Sequence, residues 1–155
     1  MKFTKFVKTL ASSGILYQRE NGERWLASEP VFMKIPDGVA SVTARSIKPM
    51  PKKIDDMIDQ ITQCIPAHLY KAFMIEPDSG IKGCIRQYRS DDRLYTIDIN
   101  NDSWSLIDHG DMIEIEVHYD AEDGEIEPAA LRISEYPAVP SDDPYVVGII
   151  FPTEI

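Results

Sequence analysis

The densest set of side chains that could do chemistry lies in residues 109–128, HGDMIEIEVHYDAEDGEIEP, which hold two histidines and eight acidic residues. Carboxylates and imidazoles bind divalent cations when several of them converge on one point. Glu114, Glu116 and His118 would share one face of a strand, but residues two apart on a strand lie roughly 6.6 Å from each other. We therefore expect a solvated strand face and no metal site, with a metal-dependent enzyme as the lesser alternative.

Apolar residues alternate with these polar ones, because Ile113, Ile115 and Val117 interleave with the two glutamates and the histidine. A period of two is typical of a strand with one face in the core. We expect the three apolar side chains to be buried, the polar face to be exposed, and a turn at residues 123–124 to lead into a returning strand. Pro128 predicts that the returning strand begins at a sheet edge.

Other candidate motifs are incomplete. Asp98, Asn100 and Asp102 have the spacing of the first ligands of a calcium loop, but the glycine and the final glutamate of that loop are missing from the sequence. We find no phosphate-binding glycine loop, no nucleophile elbow and no cysteine-based signature. We expect no catalytic residue and no cofactor, a turn after the strand LYTIDI, and His68 to cap or follow the second helix.

Charge is unevenly distributed along the chain. The first 53 residues hold ten Lys and Arg against four Asp and Glu, whereas the remainder hold six against twenty-two, for a formal net charge of -10. Lys2, Lys5 and Lys8 fall on one side of a predicted helix and form a candidate basic contact face. Because an acidic chain is repelled by nucleic acid at long range, we favour internal pairing or solvation of these lysines over DNA binding.

Two amphipathic helices are predicted from apolar residues at helical spacing, over 2–10 and over 54–65. The polar side of the second helix carries Asp55, Asp56 and Asp59. The two helices therefore present opposite charge, basic on the first and acidic on the second.

Strands are predicted for most of the remaining chain. Asn21-Gly22 predicts a tight hairpin, residues 31–36 form a third strand, and residues 48–53 read as a proline-rich connector. After residue 69 the chain continues in short β-branched or aromatic segments. We expect an α+β fold with a mostly antiparallel sheet and two amphipathic helices, which can be interpreted as a degenerate repeat of one helix plus three strands.

Length and composition predict one domain over 1–155, with 1–50 and 51–155 as an alternative division into subdomains. Cys64 and Cys84 have no spacing typical of a disulfide framework. The start interleaves lysines with apolar residues, unlike a signal peptide, and no apolar run reaches the roughly 20 residues that span a bilayer. We expect a cytoplasmic protein without membrane association.

Three segments carry a resemblance, MKFTKFVKTLASSGILYQRENGERWLAS, VFMKIPDGV and DDPYVVGIIFPTEI. They resemble small proteins encoded in prophages and mobile elements of Gram-positive gut bacteria, over most of the chain. The resemblance carries over no site residue. Our own interpretation is a non-enzymatic accessory or interaction module of phage or mobile-element origin, which acts through a protein partner or through self-association.

A second resemblance lies in the predicted element order. One helix plus three strands, used twice, resembles the subdomain plan of DNA sliding clamps, whose rings are acidic overall and lined with basic helices. The first predicted helix fits that plan. The second departs from it, because Asp55, Asp56 and Asp59 would face DNA phosphates where a clamp presents lysine or arginine. The resemblance implies a DNA-associated factor, which we keep as the alternative function.

Overall fold

The computed structural model describes residues 1–9, 14–39, 46–64, 66–75, 84–119, 125–139 and 143–153. Its helices are α1 (Phe3–Thr9), α2 (Lys52–Thr62) and α3 (Asn101–Trp104), with a short 3-10 helix at Pro66–His68. Its strands are β1 (Ile15–Gln18), β2 (Arg24–Ser28), β3 (Val31–Lys34), β4 (Lys48–Pro49), β5 (Leu69–Ile75), β6 (Ile85–Ser90), β7 (Thr96–Asn100), β8 (Met112–Tyr119), β9 (Ile126–Glu135) and β10 (Tyr145–Ile150). The predicted connector at 48–53 thus contains a two-residue strand and the start of α2.

The ten described strands form one sheet in the order β4-β1-β2-β3-β10-β9-β8-β5-β6-β7. β4 pairs with β1 in parallel, and the other described pairs are antiparallel. Three meanders, β1–β3, β8–β10 and β5–β7, lie side by side, and one helix precedes each in sequence. The predicted α+β fold with a mostly antiparallel sheet is confirmed. If the two-residue strand β4 is set aside, one helix followed by three strands occurs three times in the described residues, and not twice as predicted.

Both faces of the central strands are covered. Leu26 packs in one apolar cluster with Phe6 of α1, whereas its neighbour Trp25 packs in a second cluster with Ile58 of α2. Because adjacent residues of a strand point to opposite faces, α1 and α2 lie on opposite sides of the sheet. Lining a ring with both helices would require them on the same side, so this arrangement does not favour the clamp plan.

The predicted hairpin at Asn21-Gly22 joins β1 to β2. The main-chain nitrogen of Arg19 donates to the carbonyl oxygen of Glu23 at 2.8 Å, which closes a three-residue loop. Gly22 has a φ of 89°, in the left-handed region that a residue without a Cβ adopts most readily. The hairpin is confirmed, with a loop one residue longer than the tightest type.

α2 is held to the β1–β2 hairpin by a buried arginine. The Arg19 guanidinium donates to carboxylates of Asp55, Asp59 and Glu23. These hydrogen bonds raise the pKa of Arg19 further above its ordinary range, although burial alone would lower it. Arg19 belongs to the basic residues 1–53, whereas Asp55 and Asp59 belong to the acidic residues 54–155. Part of the charge asymmetry is therefore accounted for by ion pairs within the fold.

The prediction for β8 is correct in which side chains share a face, but wrong about the exposure of the polar face, where the side chain of Glu114 is only 13% exposed. Ile115 and Val117 are buried and Ile113 is half-buried, on the side of the cluster that contains Phe6. Glu116, expected on a solvated face, is 1% exposed. The opposite face of the sheet is also covered, because α2 packs there.

The strand that returns after β8 begins at an edge, as Pro128 predicts. β9 pairs with β8 from Ile126 onward, whereas its described pairing with β10 starts at Leu131. Pro128 has no main-chain N–H, and it lies in the part of β9 that has no described pairing with β10. The turn expected at residues 123–124 lies outside the described residues.

Candidate functional site

An open groove of about 790 Å³ lies where β5 and β8 separate. The described pairing of β5 with β8 covers Leu69–Lys71, and the rest of β5 pairs with β6. The strands consequently diverge, and residues of β5, of the α3–β8 segment and of α1 line the gap between them. We call this cavity the β5–β8 groove.

Large apolar side chains surround the β5–β8 groove in contact with solvent. Phe73 is 60% exposed, Met74 is 51% exposed and Tyr136 is 63% exposed, and all three are lining residues. Single exposed apolar residues are ordinary on protein surfaces, whereas several around one concavity are typical of a binding site. Trp104 and Tyr88 extend the apolar lining toward the core.

Two of the lysines of the candidate basic contact face line the same groove. Lys2 Nζ donates to the carbonyl oxygen of Ser105 at 3.3 Å, and Lys5 Nζ donates to the same oxygen at 3.4 Å. Lys2 Nζ also lies 3.9 Å from Asp108 Oδ1. Lys8 is exposed and is not among the lining residues. The structure thus brings Lys2 and Lys5 together, and a role of the three lysines in contacts stays a prediction.

The acidic residues at the groove are engaged by the protein itself. Asp111 Oδ1 accepts a hydrogen bond from the amino group of Met1 at 2.9 Å, and Glu135, which is outside the groove lining, accepts from the same group through Oε1 at 3.0 Å. Asp108 is the acidic neighbour of Lys2. The lining thus carries both lysine ammonium groups and carboxylates.

A second concavity, which we call the α2 pocket, has about 660 Å³ and is lined by Cys64, His68, Glu116 and His118 together with the polar side of α2. The other end of β8 supplies Glu116 and His118, at the place where β8 is paired with β5 through Leu69. The strand therefore contributes to both concavities, one at each end.

The α2 pocket surrounds one buried carboxylate. Glu116 Oε1 contacts His118 Nε2 and lies 3.7 Å from Cys64 Sγ, which donates to it. Glu116 Oε2 is buried and has no hydrogen-bond partner among the described residues. Burial raises the pKa of the Glu116 carboxyl, and the neighbouring His118 opposes the rise. Burial, reinforced by the Glu116 carboxylate, raises the pKa of the Cys64 thiol to about 11.

This chemistry is unlike that of an activated nucleophile. Reactive cysteines have lowered pKa values beside cationic groups, whereas Cys64 donates to a carboxylate and its pKa is raised. In the described parts of the chain, no group of three or more His, Cys, Asp or Glu side chains is placed to hold a metal ion.

The remaining motif residues have structural contacts. Asn100 Oδ1 accepts a hydrogen bond from Ser103 N at 2.7 Å and caps α3, and Asp98 Oδ1 accepts from Gln87 Nε2 at 2.9 Å. The turn expected after the strand LYTIDI is thus the single helical turn α3. His68 ends the 3-10 helix that follows α2, as expected.

Comparison with known proteins gives no relative. No protein-family model matches the chain, and no curated protein or solved structure matches it. Among the described residues, no helix has both the length and the apolar character needed to cross a membrane.

Proposed function

We propose that this protein is a non-enzymatic interaction module that binds a protein partner in the β5–β8 groove. The observation that carries the proposal is the combination, around one open cavity, of the exposed side chains of Phe73, Met74 and Tyr136 with the ammonium groups of Lys2 and Lys5. Aromatic residues and methionine are enriched at protein interfaces, where a few of them supply most of the binding energy. The volume of about 790 Å³ is within the range of ligand-binding clefts.

Charge supports a protein partner over nucleic acid. Affinity for a duplex comes largely from several lysine and arginine contacts to phosphates, whereas the groove has Lys2, Lys5 and Lys71 together with Asp108 and Asp111. The net charge of -10 adds long-range repulsion. A partner segment with a few carboxylates and apolar side chains matches this mixed lining better than a phosphate backbone.

The biological setting of the proposal comes from resemblance. The likeness of three segments to prophage-encoded and mobile-element proteins is the basis for assigning the partner to phage or mobile-element biology. A metal-dependent enzyme has no support from the α2 pocket, since its thiol and carboxylate are held in their protonated forms more strongly than usual.

The test is a selection of phage-displayed random peptides on the immobilised protein, followed by affinity measurements on the synthetic peptides. We expect enriched peptides whose binding is lost in Phe73→Asp and Met74→Asp. Leu94→Asp is the matched control, because Leu94 is also an exposed apolar residue and is outside the groove lining. Absence of enrichment, or peptides that bind the groove variants as well as the wild type, would contradict the proposal.

Nucleic acid is the second arm of the same test. Retention of duplex DNA is measured at about 50 mM salt, a condition that favours phosphate contacts. We expect negligible retention. Tight retention that is abolished in the triple variant Lys2→Glu, Lys5→Glu, Lys8→Glu would overturn the protein-binding proposal in favour of a DNA-associated factor.

A further inference from the structure

The described lining of the α2 pocket consists of polar side chains. It comprises three carboxyl groups, two amides, two imidazoles and one thiol, from Asp56, Asp59, Gln60, Gln63, Cys64, His68, Glu116 and His118. None of these described lining residues is a lysine or an arginine. Carboxylate and amide oxygens accept hydrogen bonds, and carboxylates add negative charge. The lining therefore suits a cation that carries several N–H donors better than an anion or an apolar group.

Glu116 gives this pocket one acceptor that the fold leaves without a donor. The residue is 1% exposed, and its Oε1 atom contacts His118 Nε2 and Cys64 Sγ. Glu116 Oε2 is also buried and has no hydrogen-bond partner among the described residues. Buried polar atoms are nearly always paired in folded proteins, because an unpaired one costs free energy when it leaves water. The buried end of the pocket thus lacks a hydrogen-bond donor.

The acidic side of α2 already binds one guanidinium group within the fold. Arg19 donates to carboxylates of Asp55 and Asp59. Asp59 also lines the α2 pocket, beside Gln60 and Gln63. A guanidinium group has five N–H donors in a planar fork and can reach several separate acceptors, whereas an ammonium group has three donors on one atom. The acceptors of the pocket therefore match a guanidinium group better than an ammonium group.

We infer that the α2 pocket binds the guanidinium group of an arginine side chain or of a free guanidine compound, with Glu116 Oε2 as the buried acceptor. This second site is independent of the proposed function, because the α2 pocket and the β5–β8 groove share no described lining residue. A neighbouring positive charge favours the ionised form of a carboxyl group. The bound guanidinium would thus offset the rise that burial causes in the pKa of Glu116.

Access to the buried carboxyl requires movement of a neighbouring side chain. The side chain of His118 is 37% exposed, whereas that of Glu116 is 1% exposed, and the two are in contact. A turn of the imidazole toward solvent would uncover the carboxyl group and let the guanidinium lie beside it. Binding should therefore change the surroundings of the His118 ring.

The probe is N-acetyl-arginine amide, titrated into the full chain while the ring resonances of His118 and His68 are followed by NMR. N-acetyl-citrulline amide is the matched ligand control, since it has nearly the shape of the arginine compound and no charge. We expect the arginine compound to shift both rings and the citrulline compound to bind at least about tenfold more weakly. N-acetyl-lysine amide should also bind more weakly, because its ammonium group reaches fewer of the separate acceptors.

Two variants test whether Glu116 holds the ligand. Glu116→Gln removes the buried charge and keeps the size of the side chain, and it should weaken binding of the arginine compound by about tenfold or more. Glu127→Gln is the matched control, because Glu127 is exposed, lies opposite His118 in the β8–β9 ladder and is outside the pocket lining. It removes the same charge and should change the affinity by less than about threefold. If Glu116→Gln does not fold, the citrulline comparison on the wild type decides.

Three results would overturn the inference. They are equal binding of the arginine and citrulline compounds, unchanged affinity in folded Glu116→Gln, and binding of the lysine compound as tight as that of the arginine compound. Shifts of both histidine rings by Zn²⁺ and not by the arginine compound would overturn it in favour of a metal ion. Ethylguanidine, titrated in parallel, distinguishes the two sources of the guanidinium group. Tighter binding of ethylguanidine supports a free guanidine compound, and tighter binding of the arginine compound supports an arginine side chain of a partner.

Discussion

The two ends of β8 show how one strand can bury a polar side chain at one end and leave apolar side chains beside solvent at the other. At Glu116, β8 is paired with β5, and the Glu116 carboxyl is buried beside the Cys64 thiol and the His118 imidazole. The described ladder between β5 and β8 ends at Lys71 and Glu114. Beyond it, near Met112 and Ile113, apolar side chains line the open groove. The comparison teaches that coverage by neighbouring elements decides exposure, not residue polarity.

The largest difference between the two regions should be in stability. Ile61 of α2 is fully buried in the cluster beneath the helix. Ile61→Ala should lower the free energy of unfolding by about 3 kcal/mol, since it removes transfer energy and leaves a cavity. Met74→Ala, in the open groove, should change it by less than about 0.5 kcal/mol. Chemical denaturation of the two variants measures both changes. Equal losses of stability in Ile61→Ala and Met74→Ala would show that the groove is part of the core.

A smaller loss of stability is expected when a polar contact between α2 and the sheet is removed. Arg132 Nη1 lies 3.4 Å from the carbonyl oxygens of Ile61 and Thr62 at the end of α2, and Arg132 Nε lies 3.2 Å from Glu114 Oε2. Arg132→Met should reduce stability by about 1 to 3 kcal/mol, because hydrogen bonds to helix-end carbonyls and to a half-buried carboxylate are lost.

The double variant Arg132→Met, Glu114→Gln is the control for this contact. It should recover part of the loss, since the carboxylate that was left without its partner is then removed. No recovery would indicate that the helix-end carbonyls account for the whole effect.

The sequence predicts local features of these regions and not their surroundings. The alternation at Ile113, Ile115 and Val117 predicts which side chains share a face, because that depends on the strand pleat alone. Whether Glu116 on the other face meets water depends on where α2 packs, and residues 54–65 show only that a helix with an apolar side exists. A polar face on a strand therefore predicts exposure only if nothing covers it.

The groove could not be predicted for a related reason. It exists because β5 leaves β8 after Lys71 and continues with β6, and no feature of the segment LYKAFMI marks that change. The basic side of α1 was predictable from helical periodicity. The contact of Lys2 and Lys5 with the carbonyl oxygen of Ser105 was not predictable, since it joins parts of the chain about a hundred residues apart.

The end of β8 that holds the buried Glu116 should also respond to pH. The pKa of Glu116 is raised by burial, so the folded protein holds a proton that the unfolded chain has already released. Stability conferred by this proton is present below the unfolded-state pKa of glutamate and is lost as pH rises through the raised folded-state pKa. Glu116→Gln stays neutral, and its stability relative to the wild type should rise with pH across that window.

The control for this prediction removes the neighbouring imidazole. His118 contacts the Glu116 carboxylate, and the charge interactions of His118 and His68 both oppose the rise in its pKa. Denaturation is measured from acid to neutral pH for Glu116→Gln, His118→Gln and the double variant. Parallel curves for Glu116→Gln and the wild type would mean that the carboxyl is solvated and the pocket is open.

The smallest effect is expected at the lysines of the open end. The side chain of Lys2 is 40% exposed and that of Asp108 is 48% exposed, and their charged atoms are 3.9 Å apart. An ion pair of this kind contributes little because water and salt screen it, so Lys2→Gln and Lys5→Gln should each change stability by less than about 0.5 kcal/mol. Lys8→Gln is the matched control on the same helix, outside the groove lining. Denaturation is measured beside peptide affinity, where the two groove variants should weaken binding and the control should not. A stability loss above about 1 kcal/mol at Lys2 or Lys5 would instead make these lysines structural links between α1 and Ser105, and the two ends of β8 would then differ less than we infer.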